Sequence, residues 1–304
     1  MLSDSSEGEL RLAHRATTPK AAEVLESTAS CLVYIPIRDG IYLGMKGKKS
    51  ILWLIGLGLL VFLFLSVEQT EVPVPPCPYD NLDYGIPGKC DQIVNREGYS
   101  LGYIEDWEQP AWVSYRLTAE EAMSHNADRG IYFAADPEIA TGSATLDDYA
   151  NSGYDRGHLA PAADMRWSDK AMRESFLMSN MSPQLPLFNR RIWMHVEKAV
   201  REFAKKEKSV FVVTGPIFYP NTPTNRIGRN NVAVPHAYYK VIYDETPPEK
   251  TIGFIVPNSN TNDSVMAFAV PVEEVEKVTH LRFFSESRKN RAIDKISVDI
   301  SDWK

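Results

Sequence analysis

The sequence predicts an α+β domain with a central, largely antiparallel sheet flanked by helices. Strand-like segments predominate, no regular strand–helix–strand alternation joins them as a parallel sheet would require, and one long helical pattern stands apart at residues 187–206. The chain has 304 residues, 44% hydrophobic and 24% charged, which excludes a disordered or fibrous protein.

The elements follow in order. Trp112 to Leu117 alternates as a strand, and Thr118-Ala119-Glu120-Glu121 has the spacing of a capping box opening a short helix. In the long helix Ile192, Val196, Ala199, Val200 and Phe203 mark an apolar face, while Asn189, Trp193, Glu197 and Arg201 recur at steps of four. Such a ridge drifts only about 40° per step, so an amide, a carboxylate and a guanidinium are expected on one side. Phe211 to Val213 reads as a buried strand ending at Thr214-Gly215-Pro216. Val232 to Tyr243 and Thr251 to Val256 read as neighbouring strands around a turn at residues 244–248, Val265 to Val270 as another strand, and Glu273 to Val278 as a short helix behind Pro271.

Ahead of this domain lies an address. Residues 51–65 form an uncharged apolar run that extends to Val67, with Lys46, Lys48 and Lys49 before it and Glu68 and Glu71 after it. This asymmetry predicts a signal anchor or signal peptide at 45–69 with the remainder translocated, facing the periplasm or exterior, or alternatively the mitochondrial intermembrane space. The stretch after the run lacks a small-x-small processing site, which favours an uncleaved membrane anchor through residues 51–67. Met45 opens a well-formed n-region, so residues 1–44 are an N-terminal extension and Met45 is the expected initiator. A Pro-rich linker, 70–76, leads to a single domain at 77–304. Of three cysteines, only Cys77 and Cys90 follow the run, and in an oxidising compartment they are expected to pair. Their spacing excludes a zinc ribbon or a Cys-x-x-Cys redox site.

The chemistry centres on Asp155-Arg156-Gly157-His158-Leu159-Ala160-Pro161-Ala162-Ala163-Asp164. His158 titrates near neutral pH in its ordinary state and so is a candidate general base. Arg156 offers a fork of donors for phosphate oxygens, and Gly157 permits close backbone approach. Asp155 reads as a turn cap or as an orienter of Arg156. His125, His195, His236 and His280 have no partner at metal or triad spacing, and a Gly-x-Ser-x-Gly elbow is missing, which disfavours Ser-His-Asp hydrolysis.

This segment, the run Ser179-Asn180-Met181-Ser182-Pro183-Gln184, then Asn189, Glu197 and Arg201 at matching spacing, resembles the DNA/RNA non-specific endonuclease family. The resemblance spans residues 77–300 and includes Trp112 to Thr118, Val212 to Pro216, Val232 to Val241 and Phe254 to Asn258. It implies a ββα-metal nuclease fold and cleavage of both DNA and RNA. It also implies that His158 activates water and Asn189 is the direct protein ligand of one Mg²⁺, with Mn²⁺ as a substitute. Helix geometry places Glu197 about 12 Å beyond Asn189, so it is expected to hold metal-bound waters. Arg201 is expected at a neighbouring or scissile phosphate and Asn180 in orienting the site. The products would carry 5′-phosphates. Endonuclease G relatives are commonly dimers, which implies a homodimer. Two other readings stay open: a catalytically silent nucleic-acid or protein binding module, and a nuclease toxin with a narrower target.

The net charge of −7 speaks against a nucleic-acid partner only until it is divided. Residues 77–155 carry a net −11, 156–229 a net +7 and 230–304 a net −2, so the basic excess coincides with the motif. Lys205, Lys206 and Lys208 add to it, or serve as dipole partners at the end of the long helix.

Overall fold

The computed structural model describes residues 75–285, apart from Ile131, together with Trp303. The expected anchor at 51–67, the Met45 start and the extension 1–44 lie outside the described residues. Among the described residues, no helix is long and apolar enough to cross a membrane.

Strands β1 (Gln92–Asn95), β2 (Ser100–Ile104) and β3 (Gln109–Thr118) come first, then the short helices α1 (Ala119–Met123) and α2 (Leu146–Tyr149). The middle of the chain holds β4 (Asp155–His158), α3 (Asp169–Ser175) and β5 (Met181–Gln184). A π-helical turn, Phe188–Trp193, leads into α4 (Met194–Glu207). After it come β6 (Ser209–Ile217), β7 (Arg226–Ile227), β8 (Val232–Ala233), β9 (Ala237–Asp244), β10 (Lys250–Pro257), β11 (Ala269–Val270) and α5 (Val272–Thr279).

Seven strands form one antiparallel sheet in the order β1-β2-β3-β6-β9-β10-β11. Both faces are buried, which is why its strands read as nearly continuous apolar runs. Val210, Val212, Tyr238 and Ile242 point to the face covered by Val196, Val200 and Phe203 of α4. Phe211, Val213, Tyr239, Val241 and Tyr243 point to the opposite face, covered by Val272 and Val275 of α5. Lys240 falls on the α4 side of this alternation and is completely buried there.

Several expectations hold as written. Trp112 to Leu117 lies within β3, Thr118 and Glu121 form the reciprocal capping box that opens α1, and α5 starts behind Pro271. Others need correction. β6 continues through Gly215 and Pro216 to Ile217, because its pairing with β3 ends at Thr214 while its pairing with β9 continues. The missing N–H of Pro216 therefore costs no ladder bond on the β3 side. Gly215 is required at this crossing, since a Cβ there would lie 2.3 Å from the Ala111 carbonyl oxygen. Residues 265–268 wind into a 3-10 turn, with Ala267 N–H donating to Ser264 O (3.0 Å), and only Ala269–Val270 pairs as a strand.

The Cys77–Cys90 disulfide is also corrected, for both are free thiols. Cys77 Sγ donates to Tyr79 O (3.2 Å) and sits 3.7 Å from Ser100 Oγ. Cys90 is packed with Ile93 and Ala111 in the α5-side core. Burial pushes its thiol up to about 11, which suppresses the thiolate that pairing needs.

Candidate active site

Asp155-Arg156-Gly157-His158 is a strand, β4, paired antiparallel with β5 so that Arg156 faces Pro183 and His158 faces Met181. This small ladder is fastened to the main sheet by polar side chains. Tyr238 Oη donates to Pro183 O (2.9 Å), and Asn258 Nδ2 donates to both Pro183 O (3.1 Å) and Pro235 O (3.0 Å). Gly157 lets Gln184 pack against this ladder: a Cβ there would meet the buried Gln184 side chain at 2.1 Å and force it to shift.

Beyond His158 the backbone is held by Asn180, whose amide is fully buried. Its Oδ1 accepts from Ala160 N–H (2.9 Å), and its Nδ2 donates to Ala160 O (2.9 Å) and Ser175 O (2.8 Å). Asn180 therefore orders the turn that carries His158 and does not line the cleft.

A cleft of about 410 Å³ opens where β4 meets the π-helical turn, with His158, Arg156, Asn189 and Glu197 among its walls. The π turn places Asn189 beside β4, where its Nδ2 donates to Asp155 Oδ2 (2.9 Å). A carboxylate only accepts, so this contact fixes the amide with its Nδ2 on Asp155 and leaves Oδ1 as the outward acceptor. Asp155 is held in turn by a bidentate Arg190, at 2.8 Å and 2.7 Å. Asp155 thus orients Asn189, a partner that sequence reasoning missed.

His158 is 9% exposed, set edge-on against Phe176 with ring centroids 4.8 Å apart, and its Nε2 is buried without a hydrogen-bond partner. Burial, reinforced by the Arg129 guanidinium, pushes it down to about 3. The neutral imidazole is therefore the resting form, able to accept a proton. Arg156 stacks over Phe133 at 4.5 Å, which steadies its guanidinium at the cleft wall.

Glu197 rests on a buried charge cluster absent from the sequence reading. Burial pushes its carboxyl up, and the Lys240 ammonium is the main influence pulling it back. Burial likewise pushes Lys240 down, while Glu197 and Asp164 hold it up. The Lys240 Nζ lies 4.9 Å from the Trp193 ring centre and 3.5 Å from Leu159 O, the residue after His158. Asp164, itself fully buried, accepts from Arg201 Nη1 (2.6 Å) and Tyr115 Oη (3.0 Å). Two carboxylates and two cations thus act on one another, Glu197 from the cleft wall and Lys240 and Asp164 from full burial.

The ridge expected along the helix is only partly formed. Asn189 and Glu197 reach the cleft, but Trp193 is fully buried, with Nε1 donating to His158 O (3.4 Å). Arg201 lies outside the cleft: Asp164 claims its guanidinium, and it lines a neighbouring groove. Arg129 and Arg190 line the cleft without having been anticipated. Arg190 was legible as the neighbour of Asn189, and Lys240 as the lone charge in Ala-Tyr-Tyr-Lys-Val-Ile-Tyr; Arg129 carried no local signal.

The donor set suits a hard divalent cation. Asn189 offers one neutral oxygen, Glu197 lies on the same wall, and among the described residues no group of three or more His, Cys, Asp or Glu is assembled as a cage. A Mg²⁺-like ion that keeps most of its waters fits such a site.

A sequence profile of the DNA/RNA non-specific endonucleases matches residues 78–290. The chain belongs to the DNA/RNA non-specific endonuclease family. It is 32% identical to the "Mitochondrial nuclease" of Saccharomyces cerevisiae, over 81% of this chain and 89% of the yeast protein. It is 36% identical to the human "Endonuclease G, mitochondrial", over 66% of this chain and 71% of the human protein. The fold is similar to a chain in the crystal structure of an EndoG/EndoGI complex, with a TM-score of 0.64 and 34% identity over 71% of this chain and 94% of that one. As a family member the chain is an endonuclease of the hydrolase class.

Proposed function

We propose that this endonuclease hydrolyses phosphodiester bonds in DNA and RNA with little sequence preference, depends on a divalent cation, and leaves 5′-phosphates. The observation that carries the reading is the buried, unpartnered Nε2 of His158 in the same cleft as the oriented amide oxygen of Asn189. His158 accepts a proton from the attacking water, since its neutral form is the resting state and an anionic phosphodiester beside it favours the imidazolium that results. Arg129, Arg156 and Arg190 line the cleft as donors for phosphate oxygens, and their contacts carry no base information. Mg²⁺, or Mn²⁺ in its place, would be held through Asn189 Oδ1 with Glu197 accepting from its waters. When bound it would supply neutralising charge for the phosphate and the departing oxygen. The family is generally dependent on divalent metals, which supports that part of the reading.

We read its place of work as mitochondrial, in line with the names of the yeast and human relatives. Purified protein incubated with supercoiled plasmid and with RNA, with Mg²⁺ or with EDTA, tests the activity. Cleavage of both substrates, abolished by EDTA, is expected. Persistence in EDTA, or digestion of one defined duplex to a few discrete fragments at completion, contradicts it.

A further inference from the structure

A second groove, of about 400 Å³, adjoins the catalytic cleft and shares Ala163 with it. Its walls carry His125, Arg166, Lys198, Arg201 and Lys205 against a single acid, Glu202. Two of the cations are neutralised within the fold, Arg201 by Asp164 (2.6 Å) and Lys205 by Glu202 (3.0 Å). Arg166 and Lys198 form no ion pair among the described residues, and the Arg166 Nε is buried without a hydrogen-bond partner. Apart from Glu202, which Lys198 also influences, the groove offers this positive charge no acid among the described residues, in a chain whose net charge is −7.

The spacing has direction. Lys198, Arg201 and Lys205 recur at intervals of three and four on α4, one stripe about 10 Å long at ~1.5 Å per residue. At about 3.4 Å per nucleotide of duplex strand, that length accompanies roughly three nucleotides. The groove walls contain no Phe, Tyr or Trp and a single imidazole, His125, so no platform for successive stacked bases is offered.

We propose that this groove holds the phosphodiester backbone of the strand flanking the scissile bond, with Arg166 and Lys198 as its principal contacts. The inference rests on the nuclease reading of the adjoining cleft and extends it: the chain grips two to three phosphates beyond the cut, without reading their bases. Arg201, paired with Asp164, forms the groove floor and does not act at the scissile phosphate.

Equilibrium binding of an uncut duplex oligonucleotide in EDTA, measured from about 50 to 200 mM salt, tests this without requiring cleavage. The proteins compared are wild type, the double variant Arg166→Ala/Lys198→Ala, and Lys206→Ala, which removes an exposed charge of α4 outside the groove. Losing two phosphate contacts should flatten the log–log salt slope by about 1.8. Over that fourfold rise in salt, wild-type affinity should then fall about tenfold more than that of the double variant. Lys206→Ala should keep the wild-type slope. In cleavage assays the double variant should show a raised KM on long DNA and unchanged turnover of a dinucleotide. An unchanged slope in the double variant, or an equal loss in Lys206→Ala, overturns the proposal. Wild-type protein that binds with the expected slope but cleaves nothing overturns the catalytic reading alone.

Discussion

Lys240→Met removes the buried ammonium that lies over the Trp193 ring and keeps an unbranched apolar side chain in its place. The wild-type cluster balances Lys240 and Arg201 against Glu197 and Asp164, with Lys240 and Asp164 fully buried. The variant leaves two carboxylates facing one guanidinium. Breaking a buried charge set in this way costs about 3–5 kcal/mol, on the order of 10 °C in Tm for a domain of this size. The sign of the pH dependence follows from Glu197. Its carboxyl is already raised by burial and is raised further without Lys240, so acid relieves the imbalance by protonating it. Urea denaturation of both proteins should show the deficit largest near pH 7.5 and much reduced at pH 5. An equal deficit at the two pH values, or none at pH 7.5, would refute the charge-cluster account.

The other expectations are narrower. His158 is held near 3 against an ordinary value near 6.5, so the unfolded chain binds the extra proton between those limits and stability falls as pH drops through them. Relative to His158→Asn, wild type should lose about 2–3 kcal/mol between pH 6.5 and 4.5, read from denaturation midpoints. Parallel pH profiles for the two proteins would contradict the buried neutral imidazole. Asp155→Asn frees the Asn189 amide to rotate and should raise the Mg²⁺ concentration for half-maximal cleavage about 10- to 100-fold with the fold intact, whereas an unchanged Mg²⁺ titration would deny Asp155 its orienting role. Intact-mass measurement after alkylation under native and denaturing conditions should find Cys77 and Cys90 both reduced, with Cys90 labelled only on unfolding; a mass two hydrogens short would restore the disulfide.

Much of the sheet was legible because its strands are buried on both faces and its turns carry strong punctuation. The boundaries that shifted did so for tertiary reasons. Pro216 is tolerated within β6 because the partner on one side has ended, and nothing local in Phe211 to Ile217 reveals where β3 stops. The amphipathic face of α4 was readable, but the π turn at Phe188–Trp193 rotates Asn189 relative to an ideal helix, so the four-residue ridge overstates how far its members share a side. Motif spacing brought His158, Arg156, Asn189 and Glu197 into one cleft. It did not reveal that Arg201 is paired and stands outside that cleft, because the carboxylate that holds it, Asp164, sits 37 residues away in the chain. Arg129 enters from a loop and is identified only by where the chain passes.

The central claim is that His158 takes the proton from water while Asn189 anchors the cation. It is tested most directly by single-turnover cleavage of a labelled duplex by wild type, His158→Ala and Asn189→Ala, alongside the affinity of each for uncut DNA. The account predicts rates lower by about 10²–10⁴ for His158→Ala, with DNA affinity unchanged and the loss not restored by excess Mg²⁺. Asn189→Ala should also be slow but partly restored by high Mg²⁺. His158→Ala cleaving at near wild-type rate with tightly bound DNA would contradict it.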